Sequence, residues 1–112
     1  MEKKELNSVK KYLLEKADEI MNKKQPEYTN KDSDVLNNFK TSAKLIGITP
    51  SEIWAAHFTK HVQSILSHAH NPGMQQAEPI ETRYADALNY LFLGFSLIVE
   101  KELDKDIISG TE

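Results

Sequence analysis

Cysteine is absent from the 112-residue chain. Its absence excludes disulfides, a thiol nucleophile and cysteine-ligated zinc, and fits a protein of a reducing cytoplasm. There is no block of like charge, and the formal net charge of −3 gives no basic field to favour a nucleic-acid polymer. No apolar run reaches the roughly 20 residues of a membrane span, and the charged first residues lack the apolar core of a signal peptide. We therefore expect a cytoplasmic protein without nucleic-acid or membrane partners.

Strand patterns and repeats are also missing, whereas apolar residues recur at helical spacing in four segments. The spacing predicts an amphipathic first helix over residues 4 to 23, within an N-terminal part comprising 1–24, and Pro26 marks a loop from Lys24 to Asp32. A second helix is predicted from Ser33 or Asp34 to Ile46, with Leu36, Phe39, Ala43 and Ile46 buried. The motif-bearing core spans 33–103, and 104–112 is expected to be a frayed tail.

The turn between the second and third helices carries the clearest local signals. Gly47 is placed to stop the second helix. Thr49 at the N-cap, Pro50 at the first helical position and Glu52 form a capping box that starts a helix to about Ala69. Its main apolar positions are Trp54, Phe58, Val62 and Ile65.

The fourth helix, from Ile80 to Val99, is apolar on nearly every side and should be buried. Leu88, Leu91, Phe95 and Ile98 form its main apolar face. The fold class that follows is all-α, a single-domain bundle of about four helices. Three short amphipathic neighbours cannot cover so much apolar surface, so we also predict a homo-oligomer, most simply a dimer. The candidates for its surplus apolar surface are Trp54, Tyr90, Phe92 and Leu97.

Polar residues interrupt the two longest apolar helices at matching spacings. Asp86 and Asn89 lie within the fourth helix, where a buried polar group without a partner costs about 1 to 3 kcal/mol. On the third helix one stripe, with Lys60 beside it, carries His57, His61, Ser64 and His68. These groups predict either a structural hydrogen-bond network or a ligand pocket between the helices.

Three kinds of chemistry compete for this constellation. The spacing of His57 and His61, with Asp86 added, permits a metal site, but Lys60 would place a positive charge beside the ion. A serine nucleophile needs a neighbouring base aligned with its hydroxyl. Histidines on the same helix as Ser64 do not provide that alignment, which argues against a serine hydrolase. Histidine beside lysine, with Arg83 near a helix N-terminus, favours an anion.

Several motifs together resemble a family of small helical proteins of unassigned function that tailed bacteriophages encode. The resemblance covers residues 28 to 100 and rests on Tyr28, DVLNNFK at 34–40, GITP at 47–50, KHVQSI at 60–65 and RYADALNYL at 83–91. It implies that the residues matching the family pattern are Asn38, Phe39, Lys60, His61, Ser64, Asp86, Asn89 and Tyr90. His57 and His68 do not match, which argues against a metal site.

The acid and amide of the fourth helix are also distantly similar to the all-α nucleoside triphosphate pyrophosphohydrolases of the MazG type. Those enzymes hold magnesium with ExxE and ExxD motifs. Here the second and third helices carry no ExxE, and Asn89 stands where a second acid would be. Magnesium chemistry on phosphates needs several converging carboxylates, so this mixture of residues favours binding over hydrolysis.

The sequence therefore predicts a phage-encoded protein of the host cytoplasm that binds a nucleotide-like anionic small molecule. The role that the phage resemblance suggests for it is to sequester a host defence signal. Lys60, His61 and Arg83 would meet phosphate, and Asp86 and Asn89 would bind a base or sugar. Further pocket residues are Tyr28 and Phe39, which could stack on the ligand, and Asn38 and Ser64. One alternative is a magnesium-dependent pyrophosphohydrolase with Asp86 as a ligand. Another is a helical protein–protein interaction module without a small-molecule site.

Overall fold

Four α-helices make up the fold. The computed structural model describes residues 1–29 and 34–102, with side chains for 1–24 and 34–101. Within them the helices are α1 (Lys3–Thr29), α2 (Asn37–Ile46), α3 (Pro50–His70) and α4 (Ile80–Glu102), with no strand. α4 packs against both α1 and α3, while α2 packs on α3 and touches α1. This confirms the all-α single-domain bundle. No helix in the described part of the chain is long and apolar enough to cross a membrane.

α1 is longer than its sequence pattern indicates. The loop predicted from Lys24 is wrong in its first part, because the helix continues through Pro26 to Thr29. A proline removes one backbone hydrogen bond, but its fixed φ near −65° is itself helical, so a helix can contain one at a cost. The rest of that predicted loop, residues 30 to 32, and the tail at 104–112 lie outside the described residues.

α2 begins at Asn37, later than the predicted Ser33 or Asp34. Asp34 precedes the helix, where its Oδ1 accepts a hydrogen bond from the backbone N–H of Leu36 at 2.9 Å. Its Oδ2 lies 2.6 Å from Nζ of Lys40, which is also 2.6 Å from Oε1 of Glu100. Lys40 thus ties α2 both to the segment before it and to the end of α4.

The turn between α2 and α3 follows the predicted local signals. Gly47 has a left-handed φ of +85°, and its N–H donates to the carbonyl of Ala43 at 2.8 Å. The Glu52 N–H donates to Oγ1 of Thr49 at 3.2 Å, and the Thr49 N–H donates to Oε1 of Glu52 at 2.9 Å. Both the glycine stop and the capping box are confirmed.

The core lies where α2, α3 and α4 meet. Its buried residues are Leu36, Phe39, Ala43, Ile53, Leu93 and Leu97, with Met21, Trp54 and Tyr90 packed against them. Ile46, predicted to be buried, is 66% exposed because α2 ends there and the chain turns away. In α3 the fully buried position is Ile53, whereas the predicted apolar positions are only half-buried: Trp54, Phe58, Val62 and Ile65.

α4 turns its polar face inward. Asp86 and Asn89 are 4% and 3% exposed. Leu91, Phe95 and Ile98, predicted to be buried, are exposed by 49%, 54% and 44%, respectively. That prediction was wrong because apolar area alone does not orient a helix. α1 supplies the partners that the buried amide and acid need, so the opposite, apolar face is left outside.

The four residues predicted to form surplus apolar surface differ in their exposure to solvent. Phe92 is 52% exposed, but Leu97 is buried in the core. Trp54 and Tyr90 are half-buried and joined, because the indole N–H of Trp54 donates to the carbonyl of Tyr90 at 2.6 Å. Of these four residues, Phe92 alone belongs to the exposed apolar surface of α4.

Candidate functional site

The contacts of Trp54 and His61 set the register between α3 and α4. The indole of Trp54 packs over Gly94 and hydrogen-bonds to the carbonyl of Tyr90. Two turns further along α3, the imidazole of His61 lies 4.5 Å from the ring of Tyr90, centroid to centroid. The two helices are therefore antiparallel, and the start of α4 comes alongside the second half of α3.

A cavity of about 330 Å³ opens between α2, α3 and Tyr90 of α4. We call it the aromatic groove, and it is lined by Val35, Asn38, Phe39, Ser42, Ile53, His57 and Tyr90. The ring centroids of Phe39 and Tyr90 are 6.2 Å apart, and those of His57 and Tyr90 are 6.3 Å apart with nearly parallel planes. Such flat faces suit a planar aromatic ligand, while Asn38 and Ser42 bring polar groups to the same groove.

A second cavity of about 390 Å³ lies where α3, the loop before α4 and the first turn of α4 meet. We call it the cationic groove, and it is lined by Lys60, Gln63, Ser64, Ser67, Met74, Gln76, Ala77 and Arg83. It thus gathers two cations and several hydrogen-bonding side chains without an acid in its lining. This is the composition expected of a site for a phosphate or another oxyanion.

The two cations of this groove form no close ion pair with other described residues. Arg83 approaches Glu78 only at 3.8 Å, between Nη1 and Oε2. Its Nε atom, like Oε1 of Gln76, is buried without a hydrogen-bond partner in the described part of the chain. Lys60 takes part in none of the ion pairs between described residues. A ligand oxygen could accept hydrogen bonds from Lys60 and Arg83 without breaking a strong internal pair.

The two grooves follow one another along the same helix faces. On α3 the lining residues Ile53, His57, Lys60, Ser64 and Ser67 share one face at alternating four- and three-residue spacing. On α4, Arg83 and Tyr90 are two turns apart on one face. At 1.5 Å of rise per residue, they lie about 10 Å apart along the axis. The aromatic and cationic grooves thus form two ends of one surface.

Asp86 and Asn89 serve a different contact, that between α4 and α1. The side-chain amide of Asn89 donates to the carbonyl of Ala17 at 2.9 Å. Asp86 Oδ1 lies 3.6 Å from Nζ of Lys24. Neither residue lines the aromatic or the cationic groove. Lys24 and Ala17 were not among the predicted functional residues, and no sequence signal identifies a backbone carbonyl as an amide's partner.

His61 is half-buried, with its ring against that of Tyr90 and the charges of Asp86 and Lys24 nearby. Burial lowers the pKa of His61 below its usual value, and the nearby charges of Lys24 and Arg83 lower it further against the opposing effect of Asp86. Burial likewise raises the pKa of the Tyr90 hydroxyl, and Asp86 adds to that shift. At neutral pH the imidazole is therefore neutral, so it supports Tyr90 by packing and is not itself a cation for phosphate.

The chain matches no protein family, no curated protein and no solved structure.

The predicted site residues fall into three groups. Lys60, Ser64 and Arg83 meet in the cationic groove, and Asn38 and Phe39 line the aromatic groove. His61, Asp86 and Asn89 line neither groove. The side chain of Tyr28 is outside the described residues. His57, considered only as a metal ligand, lines the aromatic groove, and no group of three His, Asp or Glu residues in the described part is arranged to hold a metal ion.

Several groove residues were not among the predicted site residues: Tyr90, Ser42, Gln63, Ser67 and Gln76. Tyr90 was assigned only to the family pattern and to the surplus apolar surface. Tyr90 could have been found, because it follows Arg83 at the seven-residue spacing that puts both on one helix face. Gln63, Ser67 and Gln76 carry no comparable signal, since a polar residue on a helix or loop surface is ordinary. Their relevance arises only because the loop before α4 folds over α3.

Proposed function

We propose that the protein binds a nucleotide-like anionic small molecule along the shared face of α3 and α4. The observation that carries the proposal is the alignment of the aromatic groove with the cationic groove at a separation of about 10 Å along α4. A planar base would enter beside Tyr90 and His57, where Asn38 and Ser42 can read its polar edge. The phosphates would lie between Lys60 and Arg83.

Charge at the phosphate end supports binding. The lining of the cationic groove contains Lys60 and Arg83 but no carboxylate, so an anion meets attraction there. Ser64 lies beside Lys60 and offers a hydroxyl, although it also donates to the Lys60 carbonyl at 3.2 Å. The ammonium of Lys60 and the guanidinium of Arg83 are the charged donors that would match the oxygens of a phosphate.

The resemblance to phage proteins extends this proposal to a biological role. A phage protein that holds a nucleotide-like molecule without turning it over could sequester a signal of the host's defence. The sequestration role depends on the resemblance, whereas the binding role rests on the two grooves alone.

Calorimetry of the purified protein tests the binding proposal with a panel of purine and pyrimidine nucleotides and cyclic nucleotides. We expect at least one nucleotide to bind more tightly than its nucleoside or inorganic pyrophosphate, because each of those fills one groove only. Absence of binding across the whole panel would refute the proposal. Phosphate release in the presence of magnesium would favour the pyrophosphohydrolase alternative.

Matched substitutions locate the ligand. Lys60→Gln and Arg83→Gln should each weaken nucleotide binding about tenfold or more, since a hydrogen bond to a charged group contributes about 1.5 to 3 kcal/mol. Lys11→Gln, at an exposed position on α1, is the control for a general loss of charge. His57→Ala should reduce discrimination for the base, and His70→Ala, exposed at the end of α3, should not.

A further inference from the structure

The outward face of α4 carries five apolar residues at helical spacing, four of them exposed and Leu88 half-buried. Tyr84, Leu88, Leu91, Phe95 and Ile98 follow one another at four- and three-residue spacing, which places them on a single stripe. We call this stripe the α4 ridge. Tyr84 is 45% exposed, and the values for Leu91, Phe95 and Ile98 lie between 44% and 54%. No ridge position carries a charge, and the exposed ring of Phe92 widens the ridge on one side.

The area of the ridge matches half of a stable interface. Aromatic side chains bury about 150 to 250 Å² each, so the exposed halves of Tyr84, Phe92 and Phe95 offer roughly 300 Å². Leu91 and Ile98 raise this to roughly 450 Å² of apolar surface. Because interfaces are about 60% apolar, two such ridges correspond to roughly 1,500 Å² of total buried surface. Stable protein complexes bury about 1,200 to 2,000 Å².

The two ends and the centre of the ridge are self-complementary. Tyr84 and Ile98 stand equally far along the helix on either side of Leu91. If two copies pack antiparallel about a two-fold axis at Leu91, Tyr84 of each copy meets Ile98 of the other. Phe95 then faces the small side chain of Ala87. A two-fold contact of this kind uses the same patch twice and closes on itself.

We propose that the α4 ridge binds a second copy of this chain, giving an antiparallel dimer centred on Leu91. Arg83 and Tyr90, at 100° per residue, lie about a quarter to a third of a turn around α4 from the ridge. The dimer therefore leaves the aromatic and cationic grooves open on both copies. This inference goes beyond the proposed ligand binding and does not depend on it.

Light scattering after size exclusion tests the oligomeric state. At micromolar concentration the parent protein should have twice the 12.8 kDa mass of the chain. Leu91→Glu should give a monomer, because the two carboxylates would face each other in a dry contact. Leu66→Glu, at an exposed position of α3, should stay dimeric. A monomeric parent protein, a dimeric Leu91→Glu variant or a monomeric Leu66→Glu variant would each overturn the proposal.

Cysteine cross-linking tests the geometry of the dimer. Because the chain has no cysteine of its own, any disulfide must join the introduced residues. Facing positions of helices about 8 to 10 Å apart bring Cα atoms within disulfide reach. Leu91→Cys should therefore cross-link to itself on oxidation, and Leu66→Cys should not. A mixture of Tyr84→Cys and Ile98→Cys should form the mixed disulfide in preference to either self-pair. Preferred self-pairs would mean parallel packing and would refute the antiparallel dimer.

Discussion

The amide of Asn89 joins two helices that are far apart in the sequence. We expect Asn89→Ala to lower the free energy of unfolding by about 1 to 3 kcal/mol, because the buried contact to the Ala17 carbonyl is lost and a small cavity remains. Urea unfolding measures the change. Nucleotide affinity should be nearly unchanged, since Asn89 lines neither groove.

Ser96→Ala is the control for Asn89→Ala on the same helix. Ser96 is exposed and its hydroxyl donates to the carbonyl of Phe92, so its loss should change the unfolding free energy by no more than about 0.5 kcal/mol. If Asn89→Ala instead unfolds like the parent protein and loses affinity, the amide belongs to the ligand site and the sequence-based interpretation holds.

His61 should make stability depend on pH below neutrality. Because burial lowers its pKa in the folded state, folding favours the neutral imidazole. Its contribution is complete above the unfolded-state pKa of about 6.5 and is lost as the pH falls through the lower folded-state value. Between pH 7 and 5, the parent protein should therefore lose stability more steeply than His61→Gln. Thermal unfolding over this range measures the difference.

The variant His70→Gln provides the matched comparison for that experiment, since His70 is exposed at the end of α3. It should follow the parent protein across the whole range. A His61→Gln profile as steep as that of the parent protein would mean that other groups carry the pH dependence.

At the scale of whole helices, Gly94 determines how closely α3 approaches α4. A Cβ atom at this position would lie 2.4 Å from Cε2 of Trp54, far inside contact distance. Gly94→Ala should therefore lower the unfolding free energy by about 1 to 3 kcal/mol through overpacking. This is opposite to the gain of about 1 kcal/mol that alanine normally brings to a helix interior. Chemical denaturation gives the sign directly.

A double-mutant cycle isolates the cause of that loss. In a Trp54→Ala background the space is already open, so the additional change Gly94→Ala should be neutral or stabilising. If the alanine destabilises both backgrounds equally, the indole does not set the distance between the helices.

Features of the fold that depend on neighbouring residues were predictable from the sequence, whereas those that depend on distant partners were not. The turn around Gly47 and the capping box of Thr49 and Glu52 follow from residues within one turn of each other, so the sequence pattern suffices. The orientation of α4 does not follow from its own pattern. It depends on Lys24 and the Ala17 carbonyl, which reach Asp86 and Asn89 only after α1 has docked.

The candidate site divides along the same lines. Lys60 and Ser64 are one turn apart on α3, so their common placement follows from spacing. The α3–α4 register brings Arg83 to the same groove. The docking of α2 places Asn38 and Phe39 at the other end of the surface. Those arrangements are set by packing around Trp54, Gly94 and Tyr90.

For the molecule as a whole, a dimer formed through the α4 ridge couples folding to concentration. Because dissociated copies expose the ridge, mass action should raise the unfolding temperature as protein concentration increases. We expect this dependence in the parent protein and its absence in Leu91→Glu. Calorimetric scans over a hundredfold range of concentration measure it. A constant unfolding temperature in the parent protein would show that assembly contributes nothing to its stability.

The inward polar face of α4 also determines what is uncovered when the fold opens locally. In the described part of α1 the one fully buried side chain is the small Ala17, and the surface beneath it includes Asp86 and Asn89. Transient detachment of α1 would therefore expose the carboxylate of Asp86 and the amide of Asn89 to water, which can replace their partners on α1. Among the described residues of α1, Met21 is the one that packs against the core cluster, so the hydrophobic penalty of such an opening is smaller than that of separating α3 from α4 around Trp54. Backbone amides of α1 should accordingly exchange hydrogen by sub-global opening well before those of α3 and α4.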